Sequence, residues 1–273
     1  MYNLLKGKRG IIFGALDESS IAWKVALQAH EEGAVFTLSN APIAMRMGKI
    51  NELAATCNNA VIIPADATSM EELANVLTKS MEVLGGKIDF VLHSIGMSPN
   101  VRKKIHYTQS NYDNYMKSMD VSAISLHKLL QAAMQLDVIS EWGSVVALTY
   151  IAAQRVFPDY NDMADAKALM ESITRSFGYH YGVKNKVRIN TISQSPTRTT
   201  AGSGVSGFDA FFTYADKLSP LGNASAESCA NYCISMFSDL TRMVTMQNLF
   251  HDGGFSFTGV SEGLIEEMSK EKE

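Results

Sequence analysis

The chain is poor in cysteine, lacks any long basic or apolar run, and has no glycine triplet of the kind that opens many dinucleotide folds. Its three cysteines, Cys57, Cys229 and Cys233, are an odd number without paired metal-ligand spacing. That argues against a disulfide framework or a bound metal and reads as reduced, buried thiols of a cytosolic protein. Lys and Arg total 24 against 28 Asp and Glu, a net charge of −4, and the bases are scattered. The electrostatic footprint expected for nucleic acid or an anionic membrane surface is therefore missing. No apolar run reaches the ~20 residues that a membrane span needs, and no apolar leader follows Met1, so a soluble, cytoplasmic protein is expected. Internal repeats and low-complexity tracts are also absent.

What is present is 273 residues with 46% apolar and 19% charged content, enough to bury a substantial core. Short apolar runs alternate with helical periodicity along most of the length. The first is Gly10 to Ala15, ending in glycine and followed by a helix from Ser20 to Glu32. Strands are then expected at 34–38, 60–64, 89–94, 143–149, 187–193 and 246–250. Helices are expected at 46–56, 70–84, within 110–136, and around 227–236. This alternation predicts an α/β fold with a Rossmann-like, doubly wound parallel sheet covered by helices on both faces. No interruption is long enough to begin a second domain, so residues 1–273 are read as one. The stretch from Gln194 to Gly222, rich in Ser, Thr and Gly and placed just after a strand, is read as a lid over a ligand. The end, Ser269 to Glu273, is read as a frayed tail.

In an open parallel sheet, ligands bind beyond the carboxyl ends of the strands, where helix N-termini offer free N–H groups to phosphate. After the first strand the chain reads G-A-L-D-E-S-S-I-A from Gly14. Only Gly14 is placed for the tight turn, and Ser20 can cap the helix or donate to a pyrophosphate; Asp17 and Glu18 count slightly against a phosphate site. After the second strand stand Ser39 and Asn40, where neither the acidic residue that holds a ribose diol nor an arginine for a 2′-phosphate occurs. Neutral groups suit NADH, while nearby Arg46 leaves NADPH open. Asp66 could accept from an adenine amino group or cap the next helix.

The most informative run is Tyr150 to Lys167, which sets two tyrosines and a lysine at intervals of ten and seven. If its second half is helical, Tyr160 and Lys167 lie two turns apart on one face. A phenol and an ammonium in one cleft suit a site that stabilises an oxyanion and holds a cofactor hydroxyl. Taken singly, each residue has a plain structural reading: a Tyr and a Lys two turns apart are common, Tyr150 could be a core-edge residue, and His93 is read as a satisfied structural histidine.

Several motifs occur in colinear order: Gly14 with Ser20-Ile21-Ala22, H-S-I-G at 93–96, Tyr150, Tyr160 and Lys167, S-P-T-R-T at 195–199, and H-D-G-G-F-S at 251–256. In these the chain resembles the NADH-dependent enoyl-acyl-carrier-protein reductases of type II fatty acid synthesis, a divergent branch of the short-chain dehydrogenases, from about Leu5 to Ser256. The resemblance implies that Gly14, Ser20 and Ile21 touch the pyrophosphate and ribose, and that Ser39 lies near the adenosine. Asp66 and Ala67 would flank the adenine, and Ile95 and Gly96 would line the cleft. Lys167 would bind the nicotinamide ribose, and Thr197, Arg198, Thr199, Thr200 and Ala201 would face the nicotinamide amide and pyrophosphate. Tyr150 and Tyr160 would form the active-site pair, with Tyr160 on the enolate oxygen and Lys167 lowering a tyrosine pKa. Ser98 and Met163 would lie near the acyl chain. The implied substrate is an enoyl group on acyl carrier protein, and the implied assembly is a homotetramer pairing long helices. The apolar residues Met116, Met119, Leu126, Leu129 and Leu130, spread over more than one helix face, fit burial on two sides.

The chain also departs from the pattern. Gln194-Ser195 precede Pro196 where relatives commonly have glycine, and their side chains are expected to crowd the approach to nicotinamide. Thr197 stands where a hydrophobic residue is usual. The lid segment Val205 to Phe212 carries no base for an acidic carrier, and Arg102, Lys103 and Lys104 form the nearest basic cluster. A ketone-reducing short-chain dehydrogenase would show serine at 147 and lysine at 164, and both are Ala. A catalytically silent nucleotide-binding protein would have no need of Tyr150, Tyr160 and Lys167 together.

Overall fold

A computed structural model describes residues 2–46, 49–200, 202 and 207–270. The chain begins with β1 (Arg9–Phe13), α1 (Ile21–Glu31), β2 (Val35–Ser39), α2 (Pro42–Met45), α3 (Lys49–Thr56) and α4 (Met70–Leu84). Next come β3 (Ile88–His93), the short α5 (Pro99–Arg102), α6 (Tyr112–Met119), a π-helical turn (Asp120–Ile124) and α7 (Ser125–Gln135). β4 (Ile139–Thr149), α8 (Asp162–Asn185) and β5 (Arg188–Gln194) lead to α9 (Phe208–Leu218), α10 (Ala226–Phe237), β6 (Asn248–His251) and α11 (Glu262–Lys270). Helix starts follow the local sequence. At α4, Ser69 accepts from the Glu72 N–H, and Gly85 at φ +72° ends the helix.

Among the described residues the sheet has six strands, all parallel, in the order β2-β1-β3-β4-β5-β6. The expected strand at 60–64 is reduced to a single bridge between Leu38 and Ile62. Leu38 exchanges two hydrogen bonds there with Val61 and Ile63, and Pro64, which has no N–H, cannot extend the ladder. The helix expected from 46 begins at Lys49, and the long helix within 110–136 is α6, the π turn and α7 end to end. Alternation along each strand sends side chains to opposite layers. Ile12, Phe90, Leu92 and Val146 meet α1 and α10, through residues such as Val25, Cys229 and Phe237. Ile11, Val91, Val145 and Ile189 meet α4, α7 and α8, through Leu77, Leu126 and Met170. All three cysteines are free and buried.

The connections run to opposite sides of β1 and β3, so a crevice opens beyond their carboxyl ends. Gly14 and Ser94 meet there. Gly14 has φ +95°, and a Cβ at this position would stand 2.0 Å from the Ser94 carbonyl oxygen. Gly14→Ala should therefore lower unfolding free energy by about 2–3 kcal/mol or more, since both backbone conformation and space forbid the methyl group. Urea denaturation tests this, and a loss below the usual scatter of surface substitutions would refute the close approach.

Candidate active site

The chain after β4 turns sharply, and it does so among aromatic rings. Tyr150 leaves the strand end buried, its hydroxyl without a hydrogen-bond partner. Its ring centroid lies 5.1 Å from that of Tyr160 and 5.3 Å from that of Phe157. Phe211 from α9 closes on Phe157 at 5.0 Å, and Phe255, after β6, lies 6.1 Å from Phe211. Three segments distant in sequence thus form one apolar box around two phenols.

Tyr160 is not on the helix that carries Lys167. It ends a 3-10 turn, Pro158–Tyr160, and α8 starts two residues later, after Asn161 at φ +44°, ψ −136°. Helical spacing therefore does not bring Tyr160 and Lys167 together. Tyr160 is presented by a strained turn, while Lys167, one turn and a half into α8, faces the sheet. Burial pushes the Tyr160 hydroxyl above its ordinary range, with no lowering by Lys167. Tyr150 is raised further, first by burial and then by Tyr160 and Asp252. The expected lowering of a tyrosine pKa is thus reversed: both phenols are neutral donors at physiological pH.

Lys167 is only 7% exposed, and its Nζ donates to the Leu148 carbonyl at 2.7 Å. A Cβ on Gly96 would stand 3.8 Å from that Nζ, 3.4 Å from Met163 Cε and 4.0 Å from Ser122 Oγ. Gly96, Met163, Lys167 and Ser122 therefore share one wall. Ser122, in the π turn, accepts from the Met97 N–H at 2.9 Å and lies 3.5 Å from Met163 Sδ. One turn beyond Lys167, buried Glu171 accepts from Thr149 Oγ1, Gln154 Nε2 and Asn248 Nδ2, which ties α8 to the ends of β4 and β6. His93 is buried, bonded to Ser125 Oγ at 2.9 Å, and its pKa falls to about 3 through burial and the nearby Lys167. It is a neutral histidine, and its buried Nδ1 has no partner, so it is not the satisfied histidine expected.

The nucleotide end is assembled by loop contacts. Ser20 precedes α1, but its Oγ accepts from Leu16 N and donates to Asp17 O, closing the turn after Gly14. Ile21 opens α1. Asn40 Nδ2 donates to Ala15 O at 2.8 Å, joining the first two strand ends, and the buried Ser39 Oγ has no partner. Thr200 Oγ1 donates to Asp17 Oδ2 at 2.5 Å, and Thr200 N to Ser19 Oγ at 3.1 Å, so the segment after β5 lies on the first loop. Asp17 thus serves the loop itself. Arg198 pairs with Asp209 and stacks over Phe212 at 4.4 Å; Thr199 Oγ1 accepts from Gly202 N. Ala201 and Val205 lie outside the described residues.

Three expected roles look different in place. Asp66 does not cap α4; its carboxylate bonds Thr68 N and Oγ1, and it borders a cleft of about 490 Å³ with Thr68, Met116, Lys117 and Asp120. Ala67 follows in the same turn. Ser98 is 3% exposed, and its hydroxyl is committed to Asp162 and Val101 N, so it cannot donate to a bound chain without breaking that network. Gln194 and Ser195 do not crowd the cleft. Gln194 bonds Thr197 Oγ1, Ala224 O and the His251 ring, and Ser195 Oγ accepts from Ala224 N at 2.7 Å. Sequence reading missed Phe157, Phe211, Phe255, Ser122 and Glu171. The run F-D-A-F-F at 208–212 was the visible signal for the box, although it drew attention only for its lack of bases.

The family described as "Enoyl-(Acyl carrier protein) reductase" matches residues 14–256. The chain belongs to the enoyl-acyl-carrier-protein reductases. The "Enoyl-[acyl-carrier-protein] reductase [NADH] 2" of Rhizobium meliloti is 34% identical to this reductase, over 95% of this chain and 96% of its own. The FabI of Aquifex aeolicus, also named an NADH enzyme, is 32% identical over 98% of both. The solved FabI–NADH complex of Alistipes finegoldii matches the reductase with TM-score 0.94 and 62% identity, covering 95% of this chain and 92% of that one.

Burial lowers the Lys167 ammonium from 10.5 to about 8, and the Glu171 carboxylate opposes the shift. Between about pH 8 and 10.5 the folded chain consequently binds fewer protons than the unfolded chain, and stability withheld by charge burial returns as pH rises. Lys167→Met removes this titration. It should be at least as stable as wild type at pH 7, with an advantage that shrinks toward pH 10, measured by urea unfolding at both. An advantage that grows with pH would show that the ammonium is not penalised by burial.

Proposed function

We propose that this chain reduces the trans-2 double bond of an acyl thioester on acyl carrier protein with NADH, in type II fatty acid synthesis. The observation that carries the reading is the pair of neutral phenols, rings 5.1 Å apart and the Tyr150 hydroxyl unpartnered, at the end of the strand whose Leu148 carbonyl holds the buried Lys167. The residues present suit a dinucleotide. Gly14 lets the loop after β1 close against Ser94 at the crevice, Gly96 leaves its backbone next to Lys167 Nζ, and Lys167 keeps donors beyond the one given to Leu148. Gly14, Ser20, Ile21 and Ser39 would hold the pyrophosphate and adenosine ribose, Asp66 and Ala67 the adenine, and Ile95, Gly96, Lys167 and Thr197 to Ala201 the nicotinamide half. Bound NADH supplies the hydride that reaches the β-carbon of the enoyl thioester.

The double-bond electron pair then moves toward the thioester, leaving negative charge on its oxygen. Tyr160 donates a hydrogen bond to that oxygen, a contribution of about 3 kcal/mol when preorganised away from water. Lys167 holds the ribose hydroxyls and adds positive charge nearby. Tyr150 walls the thioester and assists return of a proton to the α-carbon, which completes the single bond. Met163 lines the acyl path. The buried Ala147 of β4 and the half-buried Ala164 of α8 offer no hydroxyl or ammonium for ketone reduction.

Tyr160→Phe is expected to lower kcat about 10²-fold with NADH affinity retained. Lys167→Ala is expected to raise the NADH Kd about 10-fold or more, since hydrogen bonds from a charged donor contribute about 1.5–3 kcal/mol. Both are read by NADH oxidation with trans-2-enoyl thioesters and by NADH titration. Unchanged turnover in the first, or unchanged NADH affinity in the second, would remove the assigned role.

Carrier docking is assigned to Arg102, Lys103 and Lys104. They are exposed at the end of α5, next to the Ser98 rim, and have no ion-pair partner among the described residues. Reversing the three charges should raise KM for the carrier-linked substrate about 10-fold or more and spare the coenzyme A thioester. Equal effects on both would place docking elsewhere. A cytoplasmic homotetramer fits exposed Tyr179 and Val183 on α8 and Leu240, Met243 and Phe257 toward the C-terminus. The apolar residues expected to pair α6 and α7 between subunits are, Met116 apart, buried within the chain.

A further inference from the structure

Asp162, the first residue of α8, is a fully buried carboxylate with no cationic partner among the described residues. Three donors replace water around it: Ser98 Oγ at 2.5 Å, Asn100 Nδ2 at 2.8 Å and Ser118 Oγ at 2.8 Å. Such a group is kept inside a protein only when its lone pairs are met, and the helix N-terminus adds to that. The donors come from the rim after Gly96, from α5 and from α6. The preceding residue, Asn161, sits at φ +44°, a conformation that a non-glycine residue holds only when its surroundings enforce it. Here they do: Asn161 Nδ2 donates to Ile105 O at 2.6 Å, and its Oδ1 accepts from Ser110 Oγ at 2.9 Å and Asp162 N at 2.6 Å. Asn100 is fixed in turn, with its Oδ1 accepting from Asn111 N and Asn114 Nδ2. The chain enters this lock from Tyr160 and leaves it at Met163, whose Cε faces Gly96.

We propose that Asp162 is a positioning residue that sets the width of the enoyl slot, by fixing the Ser98–Asn100 rim against the turn that presents Tyr160. This rests on the assignment of Tyr160 as the donor to the substrate oxygen. Ser98 then acts through Asp162 and not by touching the acyl chain. Because none of the residues in the lock is one assigned to the dinucleotide, while the lock holds the turn after Tyr160, its loss falls on the enoyl thioester and leaves NADH binding in place.

The test compares Asp162→Asn, Asn100→Asp and the two together, in steady-state NADH oxidation with a trans-2-enoyl thioester, NADH titration and thermal unfolding. Asp162→Asn sets an amide N–H against the Asn100 amide, and kcat/KM for the thioester should fall at least about tenfold, because small displacements of reacting groups are costly. The NADH Kd should stay within about threefold of wild type. The exchanged pair restores one donor facing one acceptor, and should return kcat/KM to within about threefold. Full kcat/KM in Asp162→Asn, a loss matched by an equal loss of NADH binding, or a double variant no better than Asp162→Asn would overturn the proposal. If Asp162→Asn does not fold, Ser98→Ala and Ser118→Ala each remove one donor, and silence of both on thioester kinetics overturns it equally. Tyr160→Phe separates the two readings. Full turnover there removes the donor assignment, whereas impaired turnover there with a silent Asp162→Asn refutes the positioning role alone.

Discussion

A buried ammonium on a single strand-end carbonyl holds this site together. The Lys167 donation to Leu148 O fixes the rotation of α8 against the end of β4, because an ammonium with so little exposure has few other places to be satisfied. With that rotation set, Met163 one turn earlier faces Gly96, and Glu171 one turn later reaches Thr149, Gln154 and Asn248. Three strand ends and one helix are thereby tied around one cleft. Glu171 is itself raised by burial, with its hydrogen bonds and Lys167 opposing the shift, so the pair keeps a buried charge and its counter-charge one turn apart.

The same helix is anchored at its first turn by neutral donors. Asp162 and Asn161 draw the segments at 98–105 and 110–118 onto its first turn. The long connection between β3 and α6 therefore carries internal order without belonging to the sheet. Its exposed side carries three bases without an ion pair among the described residues, while its buried side is satisfied by hydroxyls and amides. Polar bonding sets the geometry of this half of the cleft, and aromatic packing sets that of the other.

That aromatic half explains the electrostatics of the tyrosines. Phe157, Phe211 and Phe255 pack with Tyr150 and the half-buried Tyr160, and burial raises both phenols and keeps their protons. A neutral phenol in a dry site is a stronger hydrogen-bond donor to a developing oxyanion than the same group in water. Lys167 lowers neither phenol.

The sequence by itself determined the parallel α/β architecture, because alternation of period two with helical periodicity depends on neighbours within one element. It also pointed to Gly14 as the turn that lets backbone approach backbone. Residues at 60–64 carried the composition of a strand, yet only one bridge forms, since pairing depends on a partner edge and Pro64 has no proton to offer it. The shared helical face of Tyr160 and Lys167 does not form, because Tyr160 lies before α8 and the strain at Asn161 is enforced by Ile105 and Ser110, far away in sequence. Tertiary structure alone decided the aromatic box, the direction of both tyrosine shifts and the burial of Asp162. Desolvation and hydrogen-bond satisfaction arise from groups that only folding brings within reach.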